Sequence, residues 1–372
     1  MLRKLAVGGM AELHLAVVEG PRGFAKQVVL KRVRRELAHR PELRAMLRDE
    51  ARLAARMQHR GLVDVLELDE AAGEPFYVMR YVPGADLRAV MAALRKREQP
   101  VSLGLAVHVA SEAATALHHA HELRDAQGRA LGVVHRDVSS ANLRLGRGGE
   151  VVVLDFGVAR SHEQTARTQV GATKGNAAYM SPEQCRGGAL DRRTDVFALG
   201  IVLHELITGR RLFASRDPLV CMRRILRGEV VPPSAIRPEV PPALEAVVMR
   251  ALRRSPDERF PSAAAMADAL DHVAREQGWC EGASDVARLL ETLFPSPVPS
   301  GTSVGEADLT SAMTRRHASA TRNGSSAAGD EEPWPGEHER TQALPRRGEQ
   351  SEARSRAPRR GRVPTRDAGS VP

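Results

Sequence analysis

Three polar residues, Asp137, Asn142 and Asp155, constrain what this chain can fold into more than any other feature of its sequence. Asp137 ends the tripeptide His-Arg-Asp, Asn142 follows five residues later, and Asp155 opens the tripeptide Asp-Phe-Gly. Phosphoryl transfer from a nucleotide needs a carboxylate that receives the acceptor's proton, oxygen ligands for Mg²⁺ and cations that offset phosphate charge. These three side chains can supply the carboxylate and the metal ligands.

Two short apolar runs place these residues at the edge of a buried core. The run 132–134 (Gly-Val-Val) precedes His135, and the run 151–154 (Val-Val-Val-Leu) precedes Asp155. Both runs are predicted to be short buried strands. The acidic side chains would then lie at strand or loop ends, where a site can open to solvent.

A second set of candidate residues lies nearer the N-terminus. Lys31 ends an apolar, β-branched run, and only five of the 55 basic residues are lysines. A lysine in so arginine-rich a chain indicates a need for a compact ammonium group. Glu50 lies in segment 41–58, whose apolar residues recur at helical spacing. A solvated glutamate beside Arg48 and Arg52 is the alternative interpretation of Glu50.

Four further segments follow in a fixed order: 58–63 (Gln-His-Arg-Gly-Leu-Val), 175–183 (ending in Ser-Pro-Glu), 195–200 (Asp-Val-Phe-Ala-Leu-Gly) and 255–260 (Ser-Pro-Asp-Glu-Arg-Phe). With the residues above, they resemble the eukaryotic-type protein kinase family, in particular its bacterial serine/threonine kinases. The resemblance covers residues 5–274. It implies ATP-dependent phosphorylation of protein Ser and Thr hydroxyls in bacterial signalling.

The resemblance also implies the domain organisation. It predicts an α+β, bilobal protein-kinase fold, with a small β-rich lobe over residues 1–80 and a large helical lobe over residues 81–274. Residues 275–294 are predicted to form a helical extension. The Ser-, Pro- and Arg-rich segment 295–372 is predicted to be a disordered tail, because it has few large apolar residues to bury.

By the same resemblance, Asp137 is the catalytic base, and Asn142 and Asp155 hold the metal ion. Lys31, oriented by Glu50, holds the nucleotide phosphates. The expected cofactors are ATP and Mg²⁺, with Mn²⁺ as a substitute. The expected partners are proteins that carry Ser or Thr, including a second copy of this chain through autophosphorylation in trans.

The glycine-rich loop that covers the phosphates in the family differs here. Alanines stand at Ala6 and Ala11, where the family has glycines, and Gly8 is kept. Because alanine adds a methyl group and disfavours positive φ, weaker nucleotide binding is expected. The resemblance assigns the nucleotide contacts, besides Lys31, to Ala6, Gly8, Gly9, Ala11, Leu13, Ala16, Met79, Tyr81 and Val82.

Three residues are candidates for a regulatory switch. Arg136 directly precedes the candidate base, and an arginine near a loop hydroxyl can anchor an added phosphate. Thr168 is predicted to be the phosphorylated residue, with Thr173 second. Solvated loop threonines without a regulatory role are the alternative interpretation.

Structural roles also follow from the resemblance. Glu183 is expected to pair with Arg259, and Asp195 to begin the buried central helix of the large lobe. Two positions depart from the usual serine/threonine pattern: Ser139 replaces a lysine and Asn176 replaces a threonine. Both positions approach the candidate base in the family, so the two changes are expected to compensate one another.

Composition excludes several other classes. The formal charge is +9, but the arginines are interleaved with acids, so no nucleic acid partner is expected. Cys185, Cys221 and Cys280 are widely spaced and odd in number, which argues against disulfides and a zinc site. His118 and His121 are interpreted as ordinary helix residues rather than metal ligands. No signal peptide or membrane span is predicted, which favours the cytoplasm.

Two other functions stay open at this point. A pseudokinase that binds nucleotide weakly and acts through protein contacts is supported by Ala6, Ala11 and Ser139. A small-molecule phosphotransferase is opposed by the segment 175–183, which in the family helps to shape a peptide groove. The same segment disfavours specificity for tyrosine.

Overall fold

A computed structural model describes residues 1–156, 177–213, 215 and 217–295 of the chain. Three of the predicted residues, and all but the first residue of the predicted tail, lie outside the described residues; the three are Thr168, Thr173 and Asn176.

The N-terminal part of the chain is built around a five-stranded antiparallel sheet in the order β1-β2-β3-β5-β4. Its β3 strand is rich in valine and pairs with β2 on one side and β5 on the other, so it lies in the middle of the sheet. The strands are β1 (Arg3–Val7), β2 (Ala11–Glu19), β3 (Ala25–Val33), β4 (Val65–Ala71) and β5 (Glu74–Arg80).

One helix, α1 (Pro41–Ala54), packs against this sheet. Proline occupies its first turn, where the missing N–H costs nothing. Leu47 and Ala51, one turn apart, are buried with Tyr77 and Met79 of β5 in one apolar cluster. The helix ends four residues earlier than the predicted segment, and residues 55–56 form a turn after it.

The C-terminal part is helical, and a small sheet in the order β6-β7-β8 lies where it meets the first part. Side chains of Ser102, Asp86 and Ser262 accept hydrogen bonds from the first turns of three helices. The helices are α2 (Leu87–Lys96), α3 (Leu103–His121), α4 (Pro182–Arg186), α5 (Arg193–Thr208), α6 (Pro218–Arg227), α7 (Pro242–Ala251), α8 (Ala263–Gln277) and α9 (Ala283–Leu293). The strands are β6 (Gly84–Asp86), β7 (Leu143–Gly146) and β8 (Val151–Val153).

The large apolar core lies around α5, in which every residue from Thr194 to Ile207 is buried. Helix α3 packs beside it with a continuous face of buried alanines and leucines. The bilobal α+β fold predicted from the sequence is confirmed. Among the helices described, none combines the length and apolar content that crossing a bilayer requires.

The strand predicted at 132–134 is absent from the described residues, so this prediction is wrong. Gly132 has φ +60°, which a strand does not tolerate. The next backbone N–H groups, those of His135 and Arg136, donate to the Asp195 carboxylate and cannot join a strand ladder. The valines of this run are buried, but as part of a loop.

Helix α9 lies against α2 and β7. Arg97 donates to the carbonyl of Thr292, and Arg147 donates to the carbonyl of Phe294. The backbone N–H of Arg147 in turn donates to the carbonyl of Pro83, which lies in segment 81–83 between β5 and β6, where the chain passes from the first sheet to the second. The last described helix is therefore tied to the connection between the lobes.

Candidate active site

Lys31 lies between two carboxylates. Its Nζ donates to Glu50 Oε1 and to Asp155 Oδ1, each at 2.7 Å. Strand β3 places Lys31 on the sheet face that α1 covers, and Glu50 lies on the buried side of that helix. The structure thus brings together three of the predicted site residues from distant parts of the sequence.

The charges of Lys31 and Asp155 stabilise one another. Burial lowers the pKa of Lys31, but the neighbouring Asp155 and Glu50 carboxylates outweigh that effect and place the pKa well above its usual value. Burial raises the pKa of Asp155, but the charge of Lys31 lowers the pKa by a larger amount, so the net shift is downward. At neutral pH an ammonium group therefore faces an ionised carboxylate.

Asp137 and Asn142 lie on one tight loop. Asn142 Nδ2 donates to the Asp137 carbonyl at 2.8 Å, and the Asn142 carbonyl accepts from Leu154 N at 2.8 Å. The second bond fixes Asn142 beside the residue that precedes Asp155. The loop and the end of β8 therefore hold the candidate base and both candidate metal ligands at the same edge of the small sheet.

His135 links the Asp137 loop to the residue that follows β8. Its Nδ1 accepts from Asp137 N at 3.2 Å, and its Nε2 lies 2.9 Å from the Leu154 carbonyl. Because Nδ1 accepts from a backbone N–H, the ring proton is on Nε2 and donates to the carbonyl. A neutral histidine thus joins the Asp137 loop to the strand that leads to Asp155.

The ligand chemistry of the site fits Mg²⁺. The amide nitrogen of Asn142 is used by the Asp137 carbonyl, which leaves the amide oxygen for a metal ion. Asp155 offers a carboxylate whose side chain is 33% exposed. Amide and carboxylate oxygens are the hard ligands that Mg²⁺ prefers. Asn142 and Asp155 could therefore hold the ion.

Asp195 organises the loop that carries the candidate base. Its fully buried carboxylate accepts from the backbone N–H groups of His135 (2.7 Å) and Arg136 (2.8 Å), and from His121 Nε2 at 2.8 Å. Arg136 and Asp155 have positive φ angles of 65° and 51°, which are strained for residues other than glycine. The Asp195 bonds hold the first of these two strained residues in place.

His121 lies in a helix, as predicted, and its side chain also contacts Asp195. Its side chain is fully buried and it holds Asp195, so it belongs to the support of the site. The sequence carried one signal of this, a histidine on an otherwise apolar face of α3. Its partner lies 74 residues away, so spacing along the chain could not identify it.

Arg136 has polar groups that can contact residues outside the Asp137 loop. Its Nε is buried and has no hydrogen-bond partner in the part of the chain that the structure describes. Its carbonyl accepts from Gln184 Nε2 at 2.9 Å, which joins the loop to the start of α4. Its predicted regulatory partners, Thr168 and Thr173, lie outside the described residues.

The first hairpin, β1–β2, carries the residues predicted to cover the nucleotide phosphates. Gly8 N donates to the Ala11 carbonyl at 2.8 Å, which closes a tight turn. Neither Ala6 nor Ala11 has a positive φ, so the backbone part of the expected penalty is wrong at both positions. Only the added methyl groups remain as a difference from glycine.

The other predicted nucleotide contacts are on the sheet and on the segment after it. Leu13 lies across from Lys31 in the β2–β3 register and shares its face of the sheet. Met79 and Val82 are buried, and Tyr81 is half-buried. Ala16 is buried on the opposite face, in a cluster with Val28 and Val78, so the structure does not bring it to the other contacts.

A buried polar chain next to the site is not predicted from the sequence. Ser140 Oγ lies 2.6 Å from the Tyr179 hydroxyl, which donates to Glu205 Oε2 at 2.7 Å. Glu205 Oε1 accepts from Arg211 Nε at 3.1 Å. This chain joins the Asp137 loop to α5 and to the segment before α4. Tyr179 lies in segment 175–183, but the other three members belong to none of the predicted motifs.

Comparison with known proteins agrees with this geometry. The family model described as "protein tyrosine and serine/threonine kinase" matches residues 1–270. Tyrosine-protein kinase MasK of Myxococcus xanthus is 40% identical over 79% of this chain and 46% of its own length. Serine/threonine-protein kinase PknB of Mycolicibacterium smegmatis is 36% identical over 70% of this chain and 40% of its own length.

Among solved structures, the PknI kinase domain of Mycobacterium tuberculosis is 28% identical, with a TM-score of 0.53, and the match covers 73% of this chain and 94% of that domain. The chain spans less than half the length of the two curated relatives named above. The family match, by contrast, covers most of this chain and includes every described site residue. The chain therefore belongs to the protein tyrosine and serine/threonine kinase family.

Proposed function

We propose that this chain transfers the terminal phosphoryl group of ATP to Ser and Thr hydroxyls of proteins. The observation that carries the proposal is the position of Lys31 Nζ, 2.7 Å from both Glu50 Oε1 and Asp155 Oδ1. A cation fixed by one carboxylate and next to a second is the arrangement that phosphoryl transfer in this family requires.

Each residue has a distinct role in the proposed reaction. Lys31, oriented by Glu50, binds phosphate oxygens of ATP. Asp137 accepts the proton of the acceptor hydroxyl as that oxygen attacks the terminal phosphorus of ATP, whose bond to the bridging oxygen breaks so that ADP leaves. Asn142 and Asp155 would hold Mg²⁺, which would neutralise charge on the phosphates.

Binding of ATP with Mg²⁺ changes the partners of Lys31. The lysine shares Asp155 with the metal site, so phosphate groups would draw Lys31 away from Asp155 while Glu50 retains it. Asp155 would then be available as a ligand for the metal ion. This exchange keeps each buried charge paired before and after nucleotide binds, which limits the cost of desolvation.

Support for Ser and Thr as acceptors comes from relatives. PknB of Mycolicibacterium smegmatis and SCO3848 of Streptomyces coelicolor are named as serine/threonine-protein kinases, SCO3848 as a probable one. Tyrosine is the second candidate acceptor, because MasK is named as a tyrosine-protein kinase. Since ATP is abundant in the cytoplasm, we place the reaction there. Protein substrates, including a second copy of this chain in trans, are the proposed partners.

The test is transfer by the purified chain with labelled ATP and Mg²⁺ or Mn²⁺, followed by phosphoamino acid analysis. Asp137→Asn should abolish transfer while ATP still binds, because the proton acceptor is lost and the phosphate site is kept. Equal transfer by both proteins would refute the role of Asp137. Nucleotide binding without transfer by the unmodified chain would favour a pseudokinase, and phosphotyrosine alone would favour the second acceptor.

A further inference from the structure

Tyr77 contacts the Lys31–Glu50 pair from inside the small lobe. It lies on β5 directly across from Lys31 on β3, so the two side chains share one face of the sheet. Its hydroxyl donates to Glu50 Oε1 at 3.1 Å, and this is the oxygen that accepts from Lys31 Nζ. The tyrosine is 2% exposed.

The position of Glu50 explains why a second donor matters. Glu50 is 3% exposed, and it lies on α1 rather than on a strand of the sheet. A buried carboxylate is costly unless hydrogen bonds replace its lost water. Lys31 Nζ donates hydrogen bonds to both Glu50 and Asp155. The Tyr77 hydroxyl, by contrast, donates only to Glu50 among the contacts of the described residues.

We propose that Tyr77 is a positioning residue whose hydroxyl holds the Glu50 carboxylate toward Lys31 and thereby keeps Lys31 in place for the phosphates of ATP. The inference rests on the proposed function, because it adds a residue to the same nucleotide site. Tyr77 acts through Glu50 and does not itself contact the nucleotide. Phenylalanine at this position keeps the packing of the ring, whose centroid lies 5.7 Å from Lys31 Nζ, and removes only the donor.

The first experiment compares the unmodified full-length chain with Tyr77→Phe. The dissociation constant of Mg-ADP is measured by calorimetry, and kcat and both KM values are measured with ATP and dephosphorylated casein. We expect Mg-ADP to bind about tenfold more weakly and the KM for ATP to rise about as much, since a hydrogen bond to a charged group is lost. The KM for casein should not change.

A matched control removes a buried hydroxyl elsewhere. Ser111 Oγ donates to Asp271 Oδ1 at 2.6 Å between α3 and α8, away from the site. Ser111→Ala should leave the affinity for Mg-ADP within about twofold of the unmodified chain. A general loss of folded protein would lower the apparent kcat of either variant equally and leave both KM values unchanged.

A double-mutant cycle separates positioning from packing. In a Glu50→Ala background the hydroxyl has lost its acceptor, so adding Tyr77→Phe should change the affinity for Mg-ADP by less than about twofold. A tenfold effect in both backgrounds, or no effect in either, would overturn the inference. If the unmodified chain binds Mg-ADP but transfers no phosphate, the proposed function fails while this cycle still decides the role of Tyr77. A chain that binds no nucleotide overturns both.

Discussion

Arg259 and Glu183 face each other 76 residues apart in a two-point ion pair, with Nη1 2.7 Å from Oε1 and Nη2 2.8 Å from Oε2. The arginine side chain is fully buried. Its remaining N–H groups donate to the carbonyls of Arg253, Arg193 and Arg254, so all five donors are satisfied. One side chain thus joins the start of α4, the start of α5 and the loop after α7.

Replacing Arg259 should therefore be strongly destabilising. Arg259→Ala leaves the Glu183 carboxylate, whose side chain is only 12% exposed, without its cation, and loss of one partner of a buried pair typically costs about 3–5 kcal/mol. Arg259→Lys should also be destabilising, because an ammonium group cannot reproduce the planar five-donor fork. Urea unfolding measures both. Arg227→Ala, which removes an exposed pair with Glu229, is the control and should cost less than about 0.5 kcal/mol. A lysine variant as stable as the unmodified chain would contradict this account.

The stability of the small lobe should depend on pH through Glu12. Its carboxylate, 8% exposed, lies 2.7 Å from Lys4 Nζ and 3.2 Å from His14 Nε2, and it accepts from Arg32 Nε at 2.7 Å. The hydrogen bond from Lys4 lowers the pKa of Glu12 most; together with the nearby His14 and the hydrogen bond from Arg32, it outweighs the raising effect of burial and places the pKa at about 2. A lowered carboxylate pKa stabilises the fold above the unfolded value of 4.5 and loses that effect as pH falls toward 2.

Unfolding of Glu12→Gln measures this contribution. The variant should be about 1 kcal/mol less stable at pH 7, after allowance for solvent screening at the exposed Lys4. The difference should shrink as the pH is lowered from 5 to 3. Glu229→Gln, in an exposed pair, serves as the control. A difference between Glu12→Gln and the unmodified chain that stays constant over this range would disprove the assignment.

Ser139 should be coupled to Asn176. Ser139 is 1% exposed, and its Oγ has no hydrogen-bond partner among the described residues, which do not include Asn176. If the two residues compensate for one another, Ser139→Lys alone should raise kcat little. Combined with Asn176→Thr, the gain should exceed the sum of the single effects by at least about threefold. The free energies of activation of the four proteins form the cycle, and strict additivity would argue against compensation.

Activity should depend on phosphorylation at Thr168, with Thr173 second. Arg136 directly precedes the candidate base and has a buried, unpartnered Nε within the described part of the chain, so it is a natural anchor for a phosphate. Peptide mapping after incubation with Mg-ATP should find the phosphate on these threonines. Replacing both with alanine should lower the initial rate on casein about tenfold or more. An unchanged initial rate would show that the threonines are not a switch.

The sequence predicted much of this protein because its informative residues occur in local patterns. The valine-rich run before Lys31 indicated a strand, and the helical spacing around Glu50 indicated the helix that brings the two together. The resemblance supplied what local patterns could not, the expectation that Glu183 meets Arg259. The structure places those two side chains in contact.

What the sequence could not predict depends on contacts between distant elements. Tyr77 looks like an ordinary strand residue, and only the packing of α1 on the sheet brings its hydroxyl to Glu50. The sequence around His121 indicates a helix, but it does not show that the side chain contacts Asp195. At 132–134 the apolar residues suggested a strand, but the backbone N–H groups that follow bind Asp195 instead of a neighbouring strand.

The position of α9 has a practical consequence for producing this protein. The family match ends at residue 270, inside α8. An expression boundary drawn there would discard Val286, Leu290 and Leu293, all buried, and would uncover the apolar surface of α2 and β7 that they protect. Exposed apolar surface of this kind promotes aggregation. A boundary after Pro295 keeps the hydrogen bonds of Arg97 to Thr292 and of Arg147 to Phe294 and should give the better-behaved sample.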